Sequence, residues 1–149
     1  MDRILVNTGD MENLFIRTFR VRDSKRVIEL WKDIFSNDPR WNEPSGIITR
    51  KLRRQRDLFL VGLLDNKIVA TVLGGYDGFR GWIYHLAVDP VYRKQGIGQT
   101  MMAAIEDRIR SQGAVKINLQ VRTNNTEVIR FYEALGYRSE THRSLGKLL

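Results

Sequence analysis

The run Trp82-Ile83-Tyr84-His85-Leu86-Ala87-Val88-Asp89-Pro90, followed after Val91-Tyr92 by Arg93-Lys94-Gln95-Gly96-Ile97-Gly98, decides the fold. Trp82 to Val88 is an apolar strand, and Asp89-Pro90 ends it. Beyond the glycine loop, Ile97, Met101, Ala104, Ile105 and Ile109 recur at the three-to-four spacing of one buried helix face, until Gly113 stops it. Val115 to Val121 is the next strand. A strand joined to a strand through a helix predicts a parallel, right-handed crossover. Upstream, Leu58 to Leu64 and Ile68 to Tyr76 are two apolar strands joined by the polar turn Asp65-Asn66-Lys67, and Asp77-Gly78 turns the chain into Trp82. The expected architecture is therefore α/β with a mixed sheet: an antiparallel meander followed by a βαβ crossover.

Further out, Leu14 to Arg20 alternates as a half-buried strand does. Asp23 stands where a helix N-cap belongs, and Val27, Leu30, Trp31, Ile34 and Phe35 form one apolar face before Asp38-Pro39 breaks it. Asn42 to Arg56 reads as a second helix with Pro44 in its first turn. Ile47, Ile48 and Leu52 line its apolar side, and Arg50, Lys51, Arg53, Arg54 and Arg56 crowd the rest. A last helix runs from about Asn125 to Leu135 with Val128, Phe131, Tyr132 and Leu135 inward and Gly136 as C-cap. The tail from Tyr137 is expected to return as strand. Residues 1–13 are expected to be a poorly ordered leader, and 14–149 a single domain.

A chain of 149 residues can bury roughly 70% of its unfolded surface in one domain. Its 42% hydrophobic and 28% charged residues are a globular mix, not a disordered one. The absence of cysteine removes disulfides, thiolate metal sites and cysteine nucleophiles, and two histidines are too few for a histidine-built metal cluster, so no metal is expected. Asp2, Arg3 and Asn7 interrupt any apolar signal core at the N-terminus, and no segment approaches the ~20 apolar residues of a membrane span. The expectation is a cytoplasmic protein with no membrane partner. Lys+Arg 25 against Asp+Glu 17 gives a net charge of +8, which favours anionic partners.

The glycine loop is built to hold an anion. The first N–H groups of a helix lack intrahelical acceptors and lie at the positive end of its dipole. Glycines let that backbone come close to a bulky phosphate, and Arg93 and Lys94 add full charges. A P-loop needs Gly-Lys-Ser/Thr at the helix start, whereas Gly98 is followed by Gln99-Thr100. A dinucleotide fold needs its glycines directly after the strand and an acid on the next one. Here seven residues separate Val88 from Gly96, Met101 holds the third glycine position, and the next strand ends Gln120-Val121-Arg122. Both nucleotide readings fail. The plainer alternative is a glycine turn that only admits a helix.

The strand and loop together resemble the acetyl-coenzyme A motif of the GCN5-related N-acetyltransferase (GNAT) superfamily. The run Asn125-Thr126-Glu127-Val128-Ile129-Arg130-Phe131-Tyr132-Glu133-Ala134-Leu135-Gly136-Tyr137 is similar to its second signature. The resemblance implies central parallel strands that splay, leaving a gap beside Leu86, Ala87 and Val88 where the pantetheine arm of acetyl-CoA pairs with backbone groups. It implies a backbone N–H near Val88 on the thioester carbonyl, and the pyrophosphate on the N–H groups of Gln95, Gly96, Ile97, Gly98 and Gln99 beside Arg93 and Lys94. It implies Asn125 on the cofactor arm and Tyr132 as the general acid for the departing thiolate. The implied activity is acetyl transfer to a primary amine of a small molecule, peptide or protein by direct attack. Each has a plainer reading: Asn124 with Glu127 resembles a capping box, Asn125 also suits an N-cap, and Tyr132 lies on a core face.

The family pattern is not fully kept. Many members place a basic glutamate where this chain has Trp82, and members that acetylate ribosomal-protein N-termini place one where it has Gln120. Neither residue here takes a proton usefully. Tyr84 should share the face of Trp82 by period-two alternation and could relay a proton through water. His85 has a suitable pKa but should point to the other face unless a bulge turns it. Trp31, Trp82 and Gln120 are candidate acceptor-side residues, since the resemblance brings the acceptor over the first two helices and the strand surface. A homodimer stays open. A different class of function also stays open: a non-catalytic module that binds acetyl-CoA, or nucleic acid through the basic helix, although no nucleic-acid motif accompanies the charge.

Overall fold

The computed structural model describes residues 13–149, so most of the expected leader lies outside the described residues. The chain divides into two compact units, one ending at Leu119 and one spanning Gln120–Leu149.

The first unit holds one five-stranded sheet in the order β1-β2-β3-β4-β5: β1 Phe15–Thr18, β2 Phe59–Leu64, β3 Lys67–Tyr76, β4 Gly81–Val88 and β5 Ile117–Leu119. The first four strands pair antiparallel in sequence order, and β4 pairs β5 in parallel through helix α3, Ile97–Ser111. The expected meander and crossover are both present. Helices α1, Ser24–Ile34, and α2, Pro44–Lys51, belong to the opposite face from α3. Neighbouring residues of β3 show this division. Leu73 joins the cluster of Val27, Leu30, Trp31, Ile48 and Phe59, whereas a Cβ on Gly74 would meet Ile105 and Ile109 of α3 at 2.9 Å.

Glycines set how closely α3 approaches the sheet. A Cβ on Gly81 would lie 2.6 Å from Ile109 Cγ2 and 2.9 Å from Ile117 Cγ1, atoms held close to the backbone. A Cβ on Gly62 would press on the flexible Met101 Sδ at 2.8 Å and meet Ala70 and Leu14 at an ordinary 3.5 Å. Overpacking a core costs about 1–3 kcal/mol. Gly81→Ala is therefore expected to lose about that much stability and Gly62→Ala clearly less, as measured by urea unfolding of the two variants.

Several boundaries differ from expectation. Asp23 precedes α1 but makes no side-chain cap. Its carboxylate takes both Arg17 Nη atoms at 2.7 and 2.9 Å and the Arg20 N–H at 2.8 Å. Burial works against its charge, but those bonds hold its pKa below the usual range. The second helix is shorter than expected. Glu43 caps it by accepting from Ser45 N and Gly46 N, and it ends at Lys51. Gln55, at φ +50°, then turns the chain, and its amide brackets both backbone groups of Tyr76. The basic run from Arg50 to Arg56 is therefore not one helix face, and Lys51 Nζ donates to Gly74 O. β5 spans Ile117–Leu119 rather than Val115 to Val121.

In the second unit α4 spans Thr126–Ala134, capped at its start by Asn125 rather than Asn124. Gly136 takes φ +96° after it. Beyond α4 no described residue forms a strand, so the expected return of the tail is not seen.

Candidate functional site

Pairing between β4 and β5 ends at Ile83↔Leu119, yet β4 runs on to Val88. The flank of Tyr84 to Val88 that faces β5 therefore has no parallel ladder partner among the described residues. On its other flank β4 carries a bulge against β3. Leu73 pairs Tyr84 and Thr71 pairs Ala87, so His85 and Leu86 oppose the single residue Val72. His85 absorbs the extra residue at φ +49°, a left-handed conformation that histidine tolerates better than most side chains. Its carbonyl accepts from Thr71 Oγ1 at 3.0 Å, and Thr71 in turn accepts from Trp31 Nε1 at 2.8 Å. Thr71 is completely buried, so this relay from α1 through β3 fixes the bulge in place.

The bulge changes which residues share a face. Trp82 pairs Gly75 and Tyr84 pairs Leu73, which puts both on the α1 and α2 side, as alternation requires. After the bulge Ala87, not Leu86, joins the cluster on that side. His85 also turns to it and packs against Trp31 and Phe35, with ring centroids at 4.8 and 4.7 Å. Tyr84 is 52% exposed. Partial burial and then the nearby Asp77 charge raise its pKa. Trp31 is 1% exposed and donates its N–H to Thr71. It belongs to the core and not to an acceptor surface, a correction to the expectation from sequence.

β4 leads through the turn Pro90–Tyr92 to the loop. Asp89 Oδ1 accepts from Val91 N at 3.1 Å, while Asp89 Oδ2 takes Arg26 Nη2 at 2.7 Å. Arg26 Nε also donates to Ile68 O at 3.0 Å. This ion pair ties α1 to the start of the loop across 63 residues of sequence, and no local signal announces it. Within the loop, Lys94 and Gly96 take φ +60° and +82°, left-handed conformations of the kind that anion-binding nests use. The first intrahelical bond of α3 runs from Thr100 N to Gly96 O, leaving the N–H groups of Ile97, Gly98 and Gln99 ahead of the ladder. Among the described residues a Cβ on Gly96 would meet nothing beyond its chain neighbours within 4 Å, so the space before these amides is open. Arg93, Lys94, Gln95 and Gln99 are exposed around it. Arg93 Nε reaches Val88 O at 3.3 Å.

The first unit thus brings together Trp82, Tyr84, Leu86, Ala87, Val88 and the loop from Arg93 to Gln99. The second unit carries the remaining predicted residues. Asn125 Oδ1 accepts from Val128 N at 3.4 Å. Tyr132 packs edge-on to Phe131 and Tyr137, and burial pushes its pKa up to about 12. Gln120 Nε2 donates to Ser144 Oγ. Among the described residues no group of three or more His, Cys, Asp or Glu gathers as a metal site, and no helix is long and apolar enough to cross a membrane.

An unpaired strand flank ending in a ring of open amides suits an extended ligand with a phosphorylated end. Residues 11–137 match the Acetyltransferase (GNAT) family. An acetyltransferase of Pectobacterium atrosepticum is 42% identical over 134 residues, covering 90% of this chain and 94% of the relative. Among solved structures, an Ard1 protein of Thermoplasma volcanium superimposes with a TM-score of 0.74 at 27% identity, covering 83% of this chain and 81% of that one. The PaiA N-acetyltransferase of Thermoplasma acidophilum, solved with coenzyme A, gives a TM-score of 0.76 at 19% identity over 88% of this chain and 93% of its own, a likeness of fold.

Proposed function

The chain belongs to the acetyltransferase (GNAT) family, whose members use acyl-CoA, and from that premise we propose that it transfers acetyl from acetyl-CoA to a primary amine. The observation that carries this reading is the flank of β4 left unpaired from Tyr84 to Val88 and leading directly into the open amides of Ile97 to Gln99.

The residues present fit the donor. Leu86, Ala87 and Val88 would hold the pantetheine arm by backbone hydrogen bonds, as an added strand is held. The N–H groups from Gln95 to Gln99, with Arg93 and Lys94, would hold the pyrophosphate. Acetyl-CoA would bring an activated thioester carbonyl to this chain. A backbone N–H near Val88 would stabilise charge on that carbonyl oxygen, the usual device of acyl transfer. Asn125 would bind the cofactor arm. Tyr132 stays protonated through the neutral range, which suits a donor to the departing sulfur. The acceptor amine would approach over the face that bears Trp82 and Tyr84, with Gln120 a further candidate to contact it.

The test is thiol release from acetyl-CoA in the presence of a panel of amines, peptides and polyamines. Release with at least one acceptor, and the matching acetylated amine by mass, is expected. Tight acetyl-CoA binding without release for any acceptor would instead assign a sensing module. A second expectation concerns Arg26. Its loss leaves the Asp89 carboxylate to the Val91 N–H and frees the start of the loop. Arg26→Ala should raise KM for acetyl-CoA several-fold, roughly the effect of losing 1–1.5 kcal/mol of positioning, with kcat little changed in steady-state kinetics.

A further inference from the structure

Trp82 and Gln120 leave the acceptor's proton with no glutamate to take it, and the bulge in β4 brings another group to the same face. We propose that His85, paired with Asp38, accepts the proton of the acceptor amine. This rests on the acetyl-transfer reading above.

Plain alternation would turn His85 toward α3. The two-against-one pairing opposite Val72 turns it instead to the side of Tyr84, immediately before the Leu86 to Val88 segment. A left-handed non-glycine residue carries strain, and such strain gathers at functional sites. The ring is held between Trp31 and Phe35, and its Nε2 lies 3.8 Å from Asp38 Oδ2. That distance is too long for a direct hydrogen bond, so Asp38 acts on the ring through its charge. Asn42 Nδ2 donates to the same Asp38 oxygen at 3.4 Å. The His85 side chain is 14% exposed and that of Asp38 22%, so a proton can reach the pair and leave it.

Among the described residues, Asp38 faces the ring from the α1–α2 connection, Trp31 of α1 and Phe35 just after that helix pack on it, and Thr71 of β3 bonds its carbonyl. Burial lowers the His85 pKa from 6.5 and Asp38 opposes that shift, so the imidazole is neutral at pH 7. The imidazolium formed on accepting a proton would sit beside a carboxylate. In the balanced step the substrate ammonium gives one proton to His85. The freed amine nitrogen bonds to the acetyl carbonyl carbon, and that carbon's bond to sulfur breaks. The nitrogen's surplus proton offsets the one delivered to the thiolate, and His85 returns its proton to solvent. Amide, coenzyme A thiol and one proton are the products.

The test uses the full chain and whichever panel amine releases thiol fastest. His85→Asn keeps a side chain that tolerates the left-handed backbone but cannot titrate. It is expected to lower kcat about 100-fold, leave the Kd for acetyl-CoA unchanged, and abolish the rising acid limb of the pH–rate profile. Asp38→Asn should keep that limb but move it to lower pH. Histidine NMR of the wild-type chain provides a check that needs no variant of His85: one imidazole should titrate below 6.5, and lower still in Asp38→Asn. Turnover of His85→Asn within about threefold of wild type, or an acid limb that survives in it, would overturn the proposal. A wild-type chain that releases no thiol with any amine would sink the transfer reading itself, a distinct result.

Discussion

Replacing Gly96 with aspartate is expected to abolish acetyl-CoA binding while leaving the fold intact. Gly96 sits at φ +82°, a backbone conformation that aspartate reaches at a cost of about 1 kcal/mol. Among the described residues the added Cβ would touch nothing beyond its chain neighbours within 4 Å, so nothing else has to move. The new carboxylate would stand before the N–H groups of Ile97, Gly98 and Gln99, satisfying the donors that the pyrophosphate needs and repelling it. Opposed like charges cost several kcal/mol, and about 2.7 kcal/mol is a 100-fold loss of affinity. Calorimetry should show the Kd for acetyl-CoA raised at least about 100-fold, with thermal unfolding shifted by only a few degrees. Gly96→Asn, which has the same shape without the charge, should lose much less. Equal losses in the two variants would assign the effect to shape and not to charge.

Tyr132→Phe is expected to lower kcat by about 100-fold or more and to leave acetyl-CoA affinity unchanged. The substitution keeps the ring and its edge-on contacts with Phe131 and Tyr137, whose centroids lie 5.1 and 5.6 Å away, and removes only the hydroxyl. With burial holding that hydroxyl's pKa near 12, the phenol is a proton donor throughout the neutral range. No alkaline decline in wild-type kcat at neutral pH should therefore trace to it. A variant with wild-type turnover in stopped-flow thiol detection would remove Tyr132 from the chemistry and leave it a core residue.

What the sequence made legible is local. The loop from Arg93 to Gly98 could be read because its glycines, its basic residues and the helix behind it are consecutive. The hairpin at Asp65-Asn66-Lys67 and the stop at Gly113 follow from turn chemistry that neighbours alone decide. What could not be read depends on pairing across the sheet. The bulge that turns His85 becomes visible only when Val72 of β3 is set against two residues of β4. Alternation along β4 alone gives the wrong face. Arg26 and Asp89 meet across 63 residues with no pattern linking them. Nothing in the sequence around Trp31 marks Thr71, a polar residue in an apolar strand 40 positions on, as its buried hydrogen-bond partner. β5 is shorter than the Val115 to Val121 read from sequence because apolar alternation continues past Leu119 while its ladder does not.

In the proposed reading, the β4 flank at residues 86–88 and the amides at 95–99 form the berth for acetyl-CoA. Amide hydrogen exchange of the full chain, with and without millimolar acetyl-CoA, tests it most directly. New protection is predicted at Leu86 to Val88 and at Gln95 to Gln99, strongest where N–H groups now stand open. Exchange at both segments unaltered by saturating ligand, or protection appearing only elsewhere, would contradict it.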